Sequence, residues 1–511
     1  MKAIIVGGAA GGATAAARIR RLDEQAQVVV YERSGYVSYA NCGLPYYIGG
    51  VITDQEDLTL QTPESFWQRF RVKMKVRHEV QAIHPERKAV TVRDLSTGEV
   101  FEDTYDKLLL SPGALPTQPE LPGVGLEQLF TLRTVEDTLK IHDFVRNHRP
   151  KSAILAGGGF IGLELAENLR EQGLEVTIVQ RPRQVLPPLD EEMAAFLHAK
   201  LRKQGVRLLL GHTVEGFRPS DIGSGVDVLL KGEAPLSADL VVLAIGVTPD
   251  TRLAREAGLE LGMKGSIVVN DRMETSVPDI YAVGDAVQVR HAVTGQPALL
   301  ALAGPANKQG RIAADNICGG DSRYQGSQGS SVLKLFDLTA AVTGINERTA
   351  RQTGIDCDKV YLSPASHAGY YPGGRLMTMK VLFERGSGRL LGAQIVGQDG
   401  VDKRIDVLAA AIHVGMTGAE LKDLDLAYAP PYSSAKDPVN MAGFMIDNLS
   451  KGLLRQFFLE DLETLPQDGT VTLLDTRTPG EYAAGHAEGF RNIPVDELRD
   501  RLDELDPGKP V

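Results

Sequence analysis

The 511-residue sequence predicts an α/β protein with a parallel-sheet core, followed by an α+β segment and a shorter α/β tail. A strand, a glycine-rich turn, a helix and a second strand follow one another at the N-terminus, and the same order returns about 150 residues later. Such a repeat is typical of a parallel sheet, because each helix crosses over to bring the next strand alongside the last. After about residue 330, short apolar strands and one helix around 401–414 indicate an antiparallel sheet.

Composition and charge exclude several protein classes. Apolar residues make up 43% and charged residues 24% of the chain, which is an ordinary globular balance. The formal net charge of −11 argues against a general nucleic-acid binder and against a polybasic membrane-binding patch. No apolar run approaches the ~18 residues of a membrane span. The strand-like run at residues 2–6 has no h-region or cleavage site after it, so we expect no secretory signal. We therefore expect a cytoplasmic enzyme without nucleic-acid or membrane partners.

The chain has three cysteines, Cys42, Cys318 and Cys357, and no pair of them has metal-ligand or C-x-x-C spacing. We therefore expect no metal site and no disulfide-stabilised secreted fold. Cys318 and Cys357 have no motif around them and are expected to be structural or exposed bystanders.

The second repeat contains a strict G-x-G-x-x-G turn at Gly157, Gly159 and Gly162. Glycines at this spacing permit a tight turn and the close approach of a pyrophosphate, which then lies at a helix N-terminus. A glycine turn that binds nothing is the alternative. The flanking elements favour a dinucleotide site, with a strand, a helix and a strand predicted at 153–155, 163–171 and 176–179.

The first turn is looser and reads GGAAGG over residues 7–12, between a strand at 3–6 and a helix at 13–22. Ala9 stands at the middle glycine position, where a methyl group still lets a pyrophosphate approach. Glu32 follows Gly12 by 20 residues and ends the next strand, where a carboxylate can accept both ribose hydroxyls.

The position in the second unit that matches Glu32 is Gln180, which Arg181 and Arg183 follow. A neutral acceptor beside two arginines tolerates or favours a 2′-phosphate, so NADH and NADPH both remain open. A solvated loop is the other interpretation of the arginines.

Two later segments favour a flavin as the first dinucleotide. Residues 275–285 read TSVPDIYAVGD, which brings Gly284 and Asp285 to a turn where the carboxylate can bind a ribityl hydroxyl. Asp285 as a plain helix cap is the alternative. Gly304 and the proline after it open a helix whose positive end would stabilise the anion of reduced flavin.

With these residues and the linking strands LLSPGA (109–114) and LAIGVTP (243–249), the chain resembles the FAD- and NAD(P)H-dependent pyridine nucleotide–disulfide oxidoreductases. The resemblance covers about residues 1–445 and implies two Rossmann-like domains and an α+β dimerisation domain. The implied limits are 1–112 and 246–328 for FAD binding, 113–245 for NAD(P) binding and 329–450 for dimerisation.

The resemblance also implies which residues hold the two nucleotides. For FAD they are Gly7, Gly8, Ala10, Gly11, Gly12, Glu32, Arg33, Asn41, Pro112, Gly113, Gly284, Asp285, Ala303 and Gly304. For NADH or NADPH they are Gly157, Gly159, Phe160, Ile161, Gly162, Gln180, Arg181 and Gly246. Phe160 is also expected to gate the flavin face.

Cys42 is the predicted redox residue, in the segment SYANCGLPYYIG (38–49). Two-cysteine members of the family carry C-x4-C here, but the residues five before and five after Cys42 are Val37 and Tyr47. One thiol must therefore react with an external thiol, persulfide or peroxide. Its position before a helix N-terminus predicts a lowered pKa and a thiolate at neutral pH.

The string NCGLPYY (41–47) resembles the coenzyme A disulfide reductases and their relatives, the coenzyme A persulfide and polysulfide reductases. Single-cysteine NADH oxidases and peroxidases share the plan but carry different residues around the thiol. Three of the implied substrate residues form one stripe on the first helix that can meet coenzyme A phosphates, with a solvated basic face as the alternative. The implied substrate residues are Thr14, Arg18, Arg21, Ser38, Asn41, Asn307, Lys308 and Lys436.

The third segment lacks the H-P-T motif of the glutathione-reducing branch. The family pattern instead implies that Tyr370 and Tyr428 lie near the thiol of the other subunit, with Tyr371 as an alternative to Tyr370. A phenol can donate a hydrogen bond to a departing sulfur. Activity is therefore expected to require a homodimer.

Residues 473–489 and the NIPV segment at 492–495 resemble the first half of a rhodanese domain. The rhodanese catalytic cysteine follows the next strand, and no cysteine follows Cys357 here, so the segment 451–511 is expected to lack sulfur transfer. We expect it to pack poorly or against the dimerisation domain, as either a truncation or a vestige. Its presence points to sulfane sulfur as the substrate class.

The expected activity is a relay from NAD(P)H through FAD to sulfur at Cys42. The acceptor is coenzyme A disulfide, coenzyme A persulfide or polysulfide, which the sequence does not rank, with coenzyme A bound as substrate or mixed disulfide. One alternative is an NADH oxidase or peroxidase that cycles through a Cys42 sulfenic acid. Another is a flavin-bearing scaffold for sulfur transfer or redox sensing, whose tail docks a partner.

Overall fold

The structure is a computed structural model that describes residues 1–221, 225–466 and 468–511. The described residues form two compact units, Met1–Asp447 and Asn448–Val511. Among these residues, no helix combines the length and apolar character needed to cross a membrane.

The helices and strands follow in chain order. Up to residue 116 they are β1 (Lys2–Val6), α1 (Ala10–Leu22), β2 (Gln27–Glu32), α2 (Leu44–Ile48), α3 (Pro63–Phe70), β3 (Lys73–Val76), β4 (His78–His84), β5 (Ala89–Asp94), β6 (Val100–Thr104), β7 (Lys107–Leu110) and β8 (Ala114–Pro116). Up to residue 249 they are β9 (Leu129–Thr131), α4 (Val135–His148), β10 (Ser152–Ala156), α5 (Phe160–Glu171), β11 (Glu175–Gln180), α6 (Glu191–Lys203), β12 (Arg207–Leu210), β13 (Val214–Pro219), β14 (Val226–Leu230), β15 (Leu236–Ala238), β16 (Leu240–Leu243) and β17 (Val247–Pro249). Up to residue 317 they are α7 (Arg252–Glu256), β18 (Ile267–Val268), β19 (Ile280–Ala282), β20 (Val287–Arg290), β21 (Pro297–Ala298) and α8 (Ala303–Ile317).

The remaining elements lie beyond residue 330. Up to residue 450 they are β22 (Ser331–Leu335), β23 (Leu338–Gly344), α9 (Glu347–Thr353), β24 (Cys357–Leu362), β25 (Met377–Glu384), β26 (Leu390–Gly397), α10 (Val401–His413) and α11 (Pro438–Ser450). The last are β27 (Leu474–Asp475), α12 (Pro479–Ala484), β28 (Arg491–Asn492) and α13 (Val495–Leu498).

Two five-stranded parallel sheets carry the two glycine turns. Their strand orders are β19-β7-β1-β2-β3 and β12-β11-β10-β16-β9, with the strand before each turn in the centre. The central strands are apolar and buried, as expected for parallel sheets covered by helices on both faces. The predicted repeat is confirmed, although α1 and α5 begin three residues earlier than predicted because residues of the glycine turns form the first helical turn.

The chain passes twice between these sheets, and the two passages run together because β8 pairs antiparallel with β17. An antiparallel meander, β4-β5-β6, begins at His78 and lies beside the first sheet. Its position follows from the buried apolar cluster it shares with β1, β2 and β7.

The α+β segment is an antiparallel sheet of order β22-β23-β26-β25-β24, with α10 packed against β23 and β26. This confirms the predicted sheet and helix. Strand β24 was not predicted, because the charged residues Asp358 and Lys359 interrupt its apolar pattern. Lys359 is nevertheless buried and paired with Glu347.

The second unit contains the parallel pair β27–β28 and the short helices α12 and α13. Thr478 caps α12 and forms a capping box with Glu481. Among the described side chains of this unit, that of Ile493 alone is buried. This sparse core agrees with the expectation of a poorly packed segment.

Candidate functional site

The first glycine turn is closed tightly by the backbone. Gly7 has a φ of +99°, and a Cβ added at Gly12 would lie 1.9 Å from the Gly7 carbonyl oxygen. The Gly8 N–H donates to Glu32 Oε2 at 2.8 Å, and Glu32 Oε1 accepts from the Ser34 N–H at 2.8 Å. The carboxylate at the end of β2 therefore braces the turn that begins α1.

The second turn repeats this geometry. Gly157 has a φ of +116°, and a Cβ added at Gly162 would lie 2.1 Å from the Gly157 carbonyl oxygen. The Gly158 N–H donates to Gln180 Oε1 at 3.0 Å. A Cβ added at Gly159 would meet no atom within 4 Å, so the middle position faces open space, as the approach of a pyrophosphate requires.

A first cavity of about 650 Å³ opens beside the first turn. Five of the residues predicted for FAD line it, namely Glu32, Arg33, Asn41, Pro112 and Gly113. Asn41 Oδ1 is buried there without a hydrogen-bond partner, so it offers an acceptor to a donor on a bound group. The residues therefore fit a dinucleotide with polar ring edges.

The remaining residues predicted for FAD approach this cavity from other strands and helices. Gly7 and Gly11 pack against Ser111, which lines the cavity. Asp285 forms an ion pair with Arg133, another lining residue. Helix α8 begins at Ala303 and Gly304, and no side chain caps its N-terminal N–H groups, which leaves them available to an anion.

Sequence reasoning missed Arg133. It stands just before Thr134, which caps α4 in a capping box with Asp137. The capping motif indicates in the sequence that a helix begins there. Only the fold shows that Arg133, just before it, contacts Asp285, which lies 152 residues later in the chain.

A second cavity of about 670 Å³ opens beside the second turn. Five residues predicted for the nicotinamide nucleotide line it, namely Gly157, Gly159, Gln180, Arg181 and Gly246. The Gln180 side chain is buried, and its amide N–H donates to the Gln184 carbonyl at 3.2 Å. Arg181 and Arg183 are exposed. Phe160 and Ile161 begin α5 and are partly buried.

Cys42 is exposed, whereas Cys318 and Cys357 are half-buried, and all three thiols are free. Cys42 lies in the single turn Asn41–Gly43 that leads into α2, a helix of only five residues. Its pKa is raised by desolvation from the surrounding protein and by the carboxylates of Glu164 and Asp285, while Arg133 lowers it. The predicted lowered pKa is therefore wrong for the groups of this chain, since so short a helix has little dipole to set against desolvation and two carboxylates.

Glu164 is a second residue that sequence reasoning missed. It lies on α5, which packs against α2. Burial and the neighbouring Glu167 raise its pKa to about 7, although a hydrogen bond with Tyr46 opposes the shift. The charge of Glu164 therefore changes near neutral pH, close enough to Cys42 to raise the pKa of its thiol. The sequence gives only a weak sign of this residue. Glu164 lies two positions after Gly162, and the G-x-G-x-x-G motif does not specify that position.

A basic pocket of about 280 Å³ lies between α1 and α8. Thr14 Oγ1 donates to Asn307 Oδ1 at 2.6 Å across this boundary, and Arg18 Nε donates to Asp315 Oδ1 at 2.6 Å. The lining residues are Thr14, Arg18, Arg21, Asn307, Lys308 and Arg311. Five of these six were predicted to contact substrate, and Arg311 was missed because it lies one helical turn after Asn307 in an otherwise plain helix.

Ser38 and Lys436 do not line the basic pocket. Ser38 has a left-handed φ of +48° in the loop after β2, and Lys436 is exposed in the loop before α11. Asn41 lines the first cavity instead.

Tyr370 and Tyr428 come together although 58 residues separate them, with their hydroxyl oxygens 2.5 Å apart. Both are exposed, at 76% and 46%. The shared hydrogen bond raises the pKa of Tyr428. Tyr371 instead packs edge-on against the ring of His367 at 5.6 Å, so the structure pairs Tyr370 rather than Tyr371 with Tyr428.

Comparison with known families agrees with this geometry. Residues 1–309 match the pyridine nucleotide-disulphide oxidoreductases, and residues 330–438 match the dimerisation domain of the same family. The chain belongs to the pyridine nucleotide-disulphide oxidoreductases. Residues 458–511 match a rhodanese-like domain. The predicted fold class is confirmed, and the protein is an FAD- and NAD(P)H-dependent oxidoreductase.

Three similar proteins come from the branch of the family that acts on coenzyme A disulfide or persulfide, as their names state. Coenzyme A disulfide reductase of Staphylococcus aureus (strain JH9) is 36% identical over 446 residues, covering 87% of this chain and 99% of that protein. The crystal structure of reduced CoADR-RHD from Bacillus anthracis has a TM-score of 0.96 and 46% identity, covering 99% of this chain and 91% of that one. An NAD-dependent persulfide reductase from A. fulgidus has a TM-score of 0.92 and 37% identity, covering 100% and 93%.

Proposed function

We propose that this oxidoreductase reduces the sulfur–sulfur bond of coenzyme A disulfide, coenzyme A persulfide or a polysulfide at the expense of NADH or NADPH, with Cys42 as the single reacting thiol. The relatives named above support this substrate class. The observation that carries the proposal is the environment of Cys42. The thiol is exposed, its neighbour Asn41 and the nearby Arg133 line the first cavity, and Asp285, which also acts on the thiol, pairs with Arg133.

FAD, when bound, accepts a hydride from the nicotinamide and supplies two electrons to sulfur. The remaining chemistry belongs to side chains. The Cys42 thiol gives up its proton and attacks one sulfur of coenzyme A disulfide, the sulfur–sulfur bond breaks, and the first coenzyme A thiol leaves with a proton in place of the one that Cys42 lost. Two electrons then break the mixed disulfide, which releases the second thiol and restores Cys42. One NAD(P)H and one proton thus yield two thiols; from coenzyme A persulfide they yield one thiol and one hydrogen sulfide.

The nucleotide sites in this proposal are those predicted from the sequence, with Arg133 added to the FAD set. The domain limits are proposed unchanged, at 1–112 with 246–328, 113–245, 329–450 and 451–511. The pairing of β8 with β17 supports them, since it joins the chain at the two predicted passages between domains.

The basic pocket supports coenzyme A as the carrier of the reacting sulfur. Its arginines and Lys308 provide positive charge for the phosphates of that molecule. Arg18 is oriented by Asp315, which leaves the other guanidinium nitrogens for a ligand. Ser38, Asn41 and Lys436 remain proposed contacts.

The exposed tyrosine pair supports a homodimeric active site. Tyr370 and Tyr428 share one hydrogen bond, so one hydroxyl can donate outward while the other supports it. We assign this pair to the thiol of Cys42 of the partner subunit, where it would protonate or hold the leaving sulfur. The matched dimerisation domain supports the assembly.

Anaerobic steady-state kinetics with each sulfur acceptor under both nicotinamides tests the proposal. Cys42→Ser with FAD bound should lose at least ~1,000-fold in kcat for every sulfur acceptor, because the attacking atom is gone. Cys318→Ser and Cys357→Ser are matched controls that should retain activity. Normal consumption of NAD(P)H by Cys42→Ser with sulfur acceptors would exclude the assigned thiol. Efficient wild-type turnover on oxygen or peroxide alone would select the oxidase or peroxidase alternative instead.

A further inference from the structure

A buried lysine lies on the antiparallel sheet β22-β23-β26-β25-β24, here named the dimerisation sheet, where that sheet meets residues 190–192 of the proposed NAD(P)-binding domain. Lys380 on β25 is 0% exposed, and its Nζ contacts Asp190 Oδ2 at 2.7 Å as well as carboxylate oxygens of Glu192 and Glu347. Burial alone would lower the pKa of Lys380, but the three carboxylates raise it. Those carboxylates lie within 4.8 Å of one another, and the lysine ammonium occupies the cation position among them.

Asp190 fixes the end of one segment to this sheet. Its N–H donates to Gln394 Oε1 at 2.7 Å, and Gln394 Nε2 donates back to Asp190 Oδ2 at 2.6 Å. The Glu347 N–H donates to Asp190 Oδ1 at 3.2 Å. Asn346 Nδ2 adds hydrogen bonds to the carbonyls of residues 187 and 188. The C-terminal end of the segment 180–190 is therefore held by β26, α9 and β25.

The other end of the same segment meets the second glycine turn. Gln184 Nε2 donates to the Leu189 carbonyl at 2.8 Å, and Gln180 Nε2 donates to the Gln184 carbonyl at 3.2 Å. Gln180 Oε1 accepts from the Gly158 N–H at 3.0 Å. The Leu186 N–H also donates to the Gly158 carbonyl at 2.7 Å, which joins the two backbones directly. Hydrogen bonds within and around the segment 180–190 therefore connect Lys380 to the second glycine turn. The same segment contains the exposed Arg181, which lines the second cavity.

We propose that Lys380 is a positioning residue for the nicotinamide nucleotide: by holding Asp190, it keeps the segment 180–190 and the Gly158 turn in the arrangement that binds NAD(P)H. Without the ammonium, Asp190 would be a buried carboxylate that lacks its counter-ion, and the segment would move to hydrate it. Lys380 lies on the dimerisation sheet and acts on the Gly158 turn only through the segment 180–190. Its loss should therefore weaken nucleotide binding more than it slows the hydride step. The inference rests on the proposed nucleotide site but not on the proposed sulfur acceptor.

Anaerobic stopped-flow reduction of the flavin by NADH and by NADPH, with no sulfur acceptor present, measures this separation. In the FAD-loaded enzyme, Lys380→Met should raise the Kd of the nucleotide about fivefold to tenfold, the loss of roughly one hydrogen bond, while the limiting rate stays within about twofold. Gln184→Met breaks the same run at its link to Leu189, without touching the dimerisation sheet, and should give the same split.

Lys200→Met is the matched control. Lys200 on α6 pairs with Asp337 in the turn between β22 and β23, so it bridges the same two parts of the chain outside this run of hydrogen bonds. Its Kd should remain that of the wild type. An equal rise in Lys200→Met, or a wild-type Kd in flavin-loaded Lys380→Met, would overturn the proposal. If Lys380→Met does not fold, Gln184→Met decides: a raised Kd supports the proposal, and a wild-type Kd overturns it. A failure of the sulfur chemistry would leave all these measurements intact.

Discussion

The two glycine turns of this chain are built alike, and they differ in charge and in what their helices touch. A Cβ added at Gly8 would lie 2.7 Å from the side chain of Val37, and a Cβ added at Gly158 would lie 2.9 Å from the side chain of Val185. The side chain that braces the turn is the carboxylate of Glu32 in one unit and the neutral amide of Gln180 in the other, and each is proposed to lie at the ribose end of a nucleotide. The same backbone device thus closes both turns, and the side chain that braces it differs in charge between them.

The helices after the turns differ more. Two residues after the last glycine, α1 carries Thr14 and α5 carries Glu164. Thr14 faces α8 in the basic pocket, whereas Glu164 acts on Cys42 from the helix packed against α2. The helix of one repeat therefore lines a basic pocket, and the helix of the other repeat carries a carboxylate that acts on Cys42.

Blocking each turn separately should produce the largest contrast. Gly12→Val should abolish FAD binding, and Gly162→Val should retain FAD but lose flavin reduction by NAD(P)H more than ~100-fold, because a side chain would overlap a backbone carbonyl in each case. Flavin absorbance per chain and anaerobic reduction rates measure the two effects. Gly125→Ala, where an added Cβ meets no atom within 4 Å, is the matched control. Loss of FAD from both variants would contradict two separate sites.

The sequence predicted the repeat, the elements around it and many of the residues around the three pockets, because glycine spacing and apolar strands are local signals. It did not predict Arg133 or Glu164, since their roles depend on partners that are distant in the chain. It also failed for the pKa of Cys42, because the helix after it is short, the fold desolvates the thiol, and the carboxylates that oppose the thiolate come from residues 164 and 285. The buried Lys380 had no signal, because a lysine within an apolar strand is normally expected to be exposed.

Neutralising Glu164 should change how the stability of the protein depends on pH, whereas a change at the matching position of α1 should not. The pKa of Glu164 in the folded chain is raised from 4.5 to about 7, chiefly by burial, so folding disfavours its charge. The resulting loss of stability grows as pH rises from 4.5 to about 7 and is constant above that range. Glu164→Gln should therefore stabilise the protein on the order of 2 kcal/mol at pH ~8 and leave it unchanged near pH ~4.

Thermal unfolding at the two pH values measures this prediction, and Thr14→Val is the control from the matching position of the first helix. Its effect should be independent of pH, because threonine does not titrate. The rate of Cys42 alkylation against pH gives a second measurement, since removal of a neighbouring carboxylate should lower the pKa of the thiol. A Glu164→Gln protein with the wild-type pH dependence in both measurements would contradict this account.

Exchanging the braces at the ribose end should give the smallest effect. Gln180→Glu places a carboxylate where a 2′-phosphate would lie and should lower kcat/KM for NADPH relative to NADH about tenfold, or about 1.4 kcal/mol. The reciprocal Glu32→Gln should keep the turn closed and weaken FAD retention only a few-fold, because an amide oxygen can still accept the Gly8 N–H. The ratio of the two nicotinamide efficiencies and the fraction of flavin retained after dialysis are the measurements. An unchanged ratio in Gln180→Glu would show that the exposed arginines, rather than this side chain, discriminate between the nucleotides.

The tie between residue 190 and the dimerisation sheet has a practical consequence for redesign of coenzyme preference. A loop transplanted from a homologue after β11 brings new residues at the ribose end, but it also replaces half of a hydrogen-bonded junction whose other half is Gln394 and Glu347. Such a graft should work only when the donor loop ends in an aspartate or when the receiving strands are exchanged with it. Libraries that vary positions 181–183 and keep 184–190 intact should therefore contain more functional members.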